Sequence, residues 1–412
     1  VLPPGQSLEA GNIGIPVNDW AEPAREDVRR FMADTERAFI RDMMRFLKEE
    51  LGVKAPVTAS QITYHGPRIV ADTCDYADVH AYWEHPRFPR RPWDPVDWYI
   101  PNTPMETAPG RDALTGRAPW RLLDRPYTIS EWNIPDPNDH AAGVVPFAAL
   151  VAGLQDWDGV MFFQYQSGEA DWYADHIQRF FSFNGNPAKL VLLAACAPLY
   201  RRGDLEPLPE QAVGTFDQPL SPALALSRRI GIDPRAEQPQ APPAPTGNRL
   251  ASPDGRAVWE ATDPARAHVR IVTPRSVAVW GRIANQRFEL GPAVIEVGPV
   301  DRDYAVIVLT SLDGRPLAEA RRLLLAAVGG ARNPGMEWNA DRTSVGNRWG
   351  HGPAEVNGVP VRVVLSGAPV QVSVLDGRGR PVGTVPVAAS RDRSRFEVGP
   401  TRRTLWYGLT RH

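Results

Sequence analysis

The chain has 412 residues, 43% of them hydrophobic and 23% charged, with a formal net charge of -2. That length accommodates two or three domains around a sizeable core, and that charge would gather neither nucleic acid nor an anionic membrane surface. No apolar run approaches the ~20 residues of a spanning helix. Val1-Leu2-Pro3-Pro4 lacks the opening of a secretory signal, so the chain reads as a processed or trimmed product.

Residues 1–20 are rich in Gly, Pro and Asn and read as irregular. From Arg25 to Leu51, Val28, Phe31, Thr35, Phe39, Met43, Phe46 and Leu51 recur at helical spacing, which predicts a long amphipathic helix stopped by Gly52. Four β-rich runs follow, Ala55–Ile62, Tyr76–Trp83, Pro126–Asn133 and Asp158–Tyr165. Helices are expected over Ala141–Gln155, Trp172–Phe181 and Asn186–Tyr200. Strand alternating with helix predicts a parallel sheet with helical crossovers. Cys74 and Cys196, each among apolar neighbours and without metal-site spacing, read as buried free thiols.

Residues 204–247, with five prolines between Pro234 and Pro245, read as a linker. Beyond it the apolar period changes to two, over Ala267–Thr273, Ser276–Ile283, Tyr304–Leu309, Val361–Leu365, Val370–Leu375 and Thr404–Leu409. With turns such as Asp313-Gly314 between them, these runs predict an antiparallel β-sandwich over residues 248–412. Arg287-Phe288-Glu289-Leu290-Gly291-Pro292 is echoed by Arg395-Phe396-Glu397-Val398-Gly399-Pro400, as two sheet corners built alike.

Strands of a parallel barrel end on one face, so their C-terminal residues converge. The first run ends near Ser60-Gln61, and the second carries His80, Tyr82 and Trp83, followed by Glu84 and His85. The third ends on Glu131-Trp132-Asn133, and the fourth on Gln164-Tyr165-Gln166, with Trp172 in the polar loop beyond. A carboxylate, imidazoles, a phenol, indoles and amides around one mouth suit a polyhydroxylated substrate with apolar ring faces. Tyr82, Trp83 and Trp132 are open between core packing and sugar stacking, Asn133 could reach a sugar hydroxyl, and Trp338, Trp349, Trp406 and Tyr407 read as core. His80, Glu84 and His85 have no zinc-helix spacing, so no metal is expected.

Asp-Val-His-Ala-Tyr-Trp at 78–83 and Ile-Ser-Glu-Trp-Asn at 129–133, within this helix-and-strand order, resemble the second half of a clan A retaining glycoside hydrolase over roughly residues 1–200. The resemblance implies the C-terminal half of a (β/α)8 barrel over residues 1–203, with the four runs as strands five to eight. It further implies Glu131 as nucleophile, with His80 and Tyr82 beside it, and Gln61, Trp83, His85, Trp132, Asn133, Tyr165 and Trp172 as substrate contacts. The implied reaction is retaining hydrolysis of a β-linked oligo- or polysaccharide without cofactor, in a secreted or periplasmic setting. The clan's acid/base Glu follows an Asn, and the chain has no Asn-Glu pair. The missing half is then expected from a second copy, in a homodimer, or from a complementing chain; within the chain Glu84 and Glu169 are the fallback acids. The rival reading is a non-catalytic carbohydrate-binding or scaffold protein, and a third is a fragment inert until completed.

Overall fold

A computed structural model describes residues 4–14, 21–59, 61–62, 66–168 and 172–411, so Ser60 and Glu169 lie outside the described residues. The chain divides into two compact units, residues 1–78 and 79–412.

In the first unit helix α1 (Glu22–Arg45) forms, with Pro23 in its first turn, and runs on through a π-helical turn, Phe46–Glu50. Gly52, at φ 67, follows its end in the left-handed conformation expected of a helix stop. The expected apolar stripe, however, is not core: Phe31, Phe39 and Leu51 are 66%, 63% and 60% exposed. The helix's buried residue is instead Ile40, and Arg37 pairs with Asp72 of helix α2 (Pro67–Thr73) at 3.1 Å. The described residues of 55–62 form no strand. Asp75 N donates to Val57 O, but Val57 N donates to the Asp75 carboxylate, so a side chain occupies a place that a ladder gives to a carbonyl.

Strand β1 (Ala77–Tyr82) crosses into the second unit and opens a three-stranded sheet of order β1-β2-β3, with β2 (Tyr127–Asn133) and β3 (Gly159–Phe162) parallel. Among the described residues this sheet has three strands, not the four expected. The β2–β3 crossover is helix α3 (Val144–Gln155), buried at every position, which explains an apolar sequence without a polar face. Helix α4 (Pro187–Arg201) starts at Asn186, whose side chain caps Ala188 N and Lys189 N. The helix expected over Trp172–Phe181 does not form. Gln164 N donates to Phe181 O, Phe183 N to Gln164 O and Asn184 N to Tyr165 O, so residues 181–184 run back extended beside the end of β3.

The stretch read as a linker holds a parallel pair, β4 (Gln211–Gly214) with β5 (Arg229–Ile232). Gln155 ties it to α3, donating to Ala225 O and Arg228 O and accepting from Ile230 N. Val213 and Gln240 exchange two backbone bonds inside the proline-rich part.

Two antiparallel sheets, of nine and five strands, follow in a sandwich-like arrangement. Ile307 and Leu325 of the larger sheet share one core with Ile295, Val363 and Phe396 of the smaller. The six expected strands all form, within one or two residues of their expected ends for most. The echoed segments are strands of the five-stranded sheet, and Phe288 and Phe396 enter the same core. Tyr304–Ser311 is buried at all eight positions because the nine-stranded sheet is covered on its outer face too, where Trp259 and Trp280 meet Phe147 of α3 at 5.0 and 5.2 Å. Arg393–Val398, by contrast, alternates exposed and buried. Both cysteines are buried and neither forms a disulfide.

Candidate functional site

Two residues apart on β1, His80 and Tyr82 point to the same face, and both are half-buried while Val79 and Ala81 are fully covered. On the neighbouring strand the β2–β3 register slips between Ile129 and Trp132, an irregularity that inserts an extra residue beside Glu131. Such bulges re-aim side chains at the ends of strands. Here the slip leaves Trp132 wholly buried, its indole N–H donating to Val144 O at 2.7 Å. Glu131 stays about a quarter exposed, at 26%.

Tyr82 Oη donates to Glu131 Oε2, and His80 Nδ1 lies 3.1 Å from the same oxygen. Both partners fall on Oε2, so Oε1 has no protein partner among the described residues. Arg117 Nε donates to His80 O at 2.9 Å and pins that strand residue. Tyr82 is itself walled by His85, Phe181 and Phe163, with ring centroids at 5.4, 5.2 and 6.2 Å.

The structure therefore brings together Glu131, His80, Tyr82 and His85. Trp132 and Asn133 are corrections: both are completely buried and cannot meet substrate. Asn133 donates to Phe181 O at 2.9 Å and to Phe163 O, and accepts from Lys189 Nζ at 3.0 Å. Lys189 also donates to Ile134 O and pairs with Asp136 at 3.0 Å, so a buried ion pair clamps the chain leaving β2 onto α4. Trp83 is partly exposed, with its indole N–H held by Thr103 O at 2.9 Å. Gln61 is buried in the first unit. Tyr165 and Trp172 are half-exposed and lie 5.4 Å apart in a tilted pair beyond β3.

Glu84, a fallback acid, accepts from Thr103 N, Thr103 Oγ1 and Asn138 Nδ2, so it fastens two loops. Burial raises its pKa, against the pull of these donors. Among the described residues no second carboxylate bonds into the Glu131 cluster, and no three His, Cys, Asp or Glu side chains converge as a metal site would require. No helix of the described residues is long and apolar enough to cross a membrane.

Sequence reasoning missed Trp93, Phe163 and Phe181. Trp93 sits in Arg91-Pro92-Trp93-Asp94-Pro95, where an indole between prolines in a polar loop was the available signal. No protein-family model matches the chain, and no curated protein matches it significantly.

Proposed function

We propose that the chain is the C-terminal half of a (β/α)8-type glycoside hydrolase and that Glu131 is its nucleophile toward a β-linked glycoside. The observation that carries this reading is the division of labour within one carboxylate: Tyr82 and His80 hold Oε2 while Oε1 is left for the anomeric carbon. In the first step Oε1 bonds to that carbon as its bond to the leaving oxygen breaks, and a general acid protonates the leaving oxygen. Water then cleaves the glycosyl ester, and the second product regains the sugar's original configuration. The acid must stand about 5 Å away for this outcome. A completing half, from a second copy or a complementing chain, supplies it in this reading, since Glu84 is occupied by its loop bonds.

Glycosides with a 2,4-dinitrophenyl leaving group need no proton for departure, so they isolate the nucleophile from the acid. The chain alone is expected to turn over at least one such β-glycoside of glucose, galactose, mannose or xylose, and Glu131→Gln to abolish that turnover. Undiminished turnover by Glu131→Gln would remove the assignment. That no second carboxylate bonds into the cluster among the described residues favours a second reading, a carbohydrate-binding protein without catalysis. Oligosaccharide binding without turnover of any activated glycoside would select it.

A further inference from the structure

Beside the Glu131 cluster lies a cavity of about 480 Å³, lined among others by Trp93, Phe163, Gln164, Gln178, Phe181 and Trp349. Phe163 and Phe181 belong to both places, since their rings also wall Tyr82. His85 bridges them from another side, 5.4 Å from Tyr82 and 5.6 Å from Trp93. The cavity thus shares a wall of rings with the cluster that holds Glu131.

Its walls are unusual in two respects. Trp93 is 60% exposed and has φ 59, a conformation that costs a bulky residue about 1–3 kcal/mol. The turn after it is fixed by Asp94, whose Oδ1 accepts from Val96 N and Asp97 N at 3.0 and 3.1 Å. Strain held in place to present an indole to solvent points to a ligand for that indole. Trp349, expected to be core, is only partly buried: it stacks on Trp98 at 5.7 Å and lines the cavity as well. It comes from an excursion between the short strands Ala331–Arg332 and Glu355–Val356, so the antiparallel part of the chain supplies one wall.

Gln164, Ser167, Gln178 and Arg179 place amide, hydroxyl and guanidinium groups among these rings. Indole faces alternating with such donors and acceptors match a pyranose, which has an apolar face and a hydroxyl-bearing edge. The volume falls within the ~300–1,000 Å³ of small-molecule sites. We propose that this cavity is a saccharide subsite, in which Trp93 and Trp349 hold the sugar units of a neutral β-linked oligosaccharide that extends away from Glu131. It deepens, and rests on, the glycosidase reading of Glu131.

The test uses the full chain carrying Glu131→Gln, so that ligand is bound and not cleaved, with cellohexaose, mannohexaose and xylohexaose as probes in titration calorimetry. At least one hexaose is expected to bind, and adding Trp93→Ala to weaken it tenfold or more. Gln178→Ala, which removes a polar lining group and no aromatic packing, is expected to weaken it severalfold. Binding of none of the three, or binding within twofold of the parent in both variants, overturns the subsite. Turnover of activated aryl glycosides by the unmutated chain separates the two claims. If turnover persists while the hexaose result fails, the subsite alone is lost. If Trp93-dependent binding is seen without any turnover, the subsite stands and the nucleophile reading falls.

Discussion

Glu131, His80 and Tyr82 are joined by side chains that strand periodicity alone could place: an i, i+2 pair on one strand and a strand-end carboxylate on the next. Strand spacing carried no sign of the bulge, without which Glu131 would fall on the buried face of Tyr127 and Ile129 and Trp132 on the opposite one. Packing claims both Trp132 and Asn133, which their place at a strand end puts among the expected substrate contacts. Removing the Tyr82 hydroxyl takes one hydrogen bond from the carboxylate, an interaction worth about 1.5–3 kcal/mol with a charged partner. Tyr82→Phe is accordingly expected to lower kcat/KM on activated aryl glycosides by roughly 10- to 100-fold; an unchanged value would show that the phenol does not organise the carboxylate. A second residue-scale prediction concerns Glu106, fully buried with Tyr304 Oη donating to its Oε1 at 2.8 Å. Burial pushes its carboxyl up from 4.5 to about 7, so the folded chain holds the proton that the unfolded chain releases in that interval. The stability this group contributes is complete below pH 4.5 and is lost as pH rises to about 7, by about 3 kcal/mol. Burial lowers His140 from 6.5 to about 4, so its contribution runs oppositely, complete above pH 6.5 and lost as pH falls. Glu106→Gln is expected to melt several degrees above the parent at pH 8 and close to it at pH 4.5. Equal melting shifts at both pH values would contradict the buried, protonated carboxyl.

Among elements, those with one clear period were legible. The six expected strands of the antiparallel part and helix α1 lie close to where apolar spacing puts them, and helix α3 close to its small, apolar run. The misreadings have local causes. Ala55–Ile62 has strand-like residues, but the Asp75 carboxylate takes a backbone donor at Val57. Trp172–Phe181 has aromatic spacing compatible with a helix, but residues 181–184 spend their backbone groups on Gln164 and Tyr165. Neither competition is visible in a window of one segment. The element on which the site most depends is the end of β2, clamped to α4 by Lys189. Burial drives Lys189 down and Asp136 up, toward their neutral forms, while the contact between them opposes both shifts. Lys189→Met leaves a buried carboxylate without its partner, and a loss of about 3–5 kcal/mol in urea unfolding is expected. A loss under 1 kcal/mol would mean that the pair does not hold the strand end.

At the scale of the molecule, the sequence divided the chain by composition, and contacts divide it otherwise. The proline-rich stretch bonds to α3, and the nine-stranded sheet packs on that helix, so residues 79–412 form one compact unit. Composition could not show this, because a proline-rich segment can be extended and still bonded at its few available donors, as Gln240 is. In the proposed reading a second copy continues the sheet of three parallel strands. Light scattering at micromolar concentration is expected to give about twice the 45.5 kDa of the chain. A mass of one chain at every concentration would remove the second copy as the completing half.

The most direct measurement is covalent trapping. The intact chain is incubated with 2,4-dinitrophenyl 2-deoxy-2-fluoro β-glycosides of glucose, galactose and mannose, and the labelled peptide is sequenced by mass spectrometry. The account predicts one fluoroglycosyl group, esterified to Glu131. A label on any other carboxylate, or activated-glycoside turnover with Glu131 unmodified throughout, would contradict it.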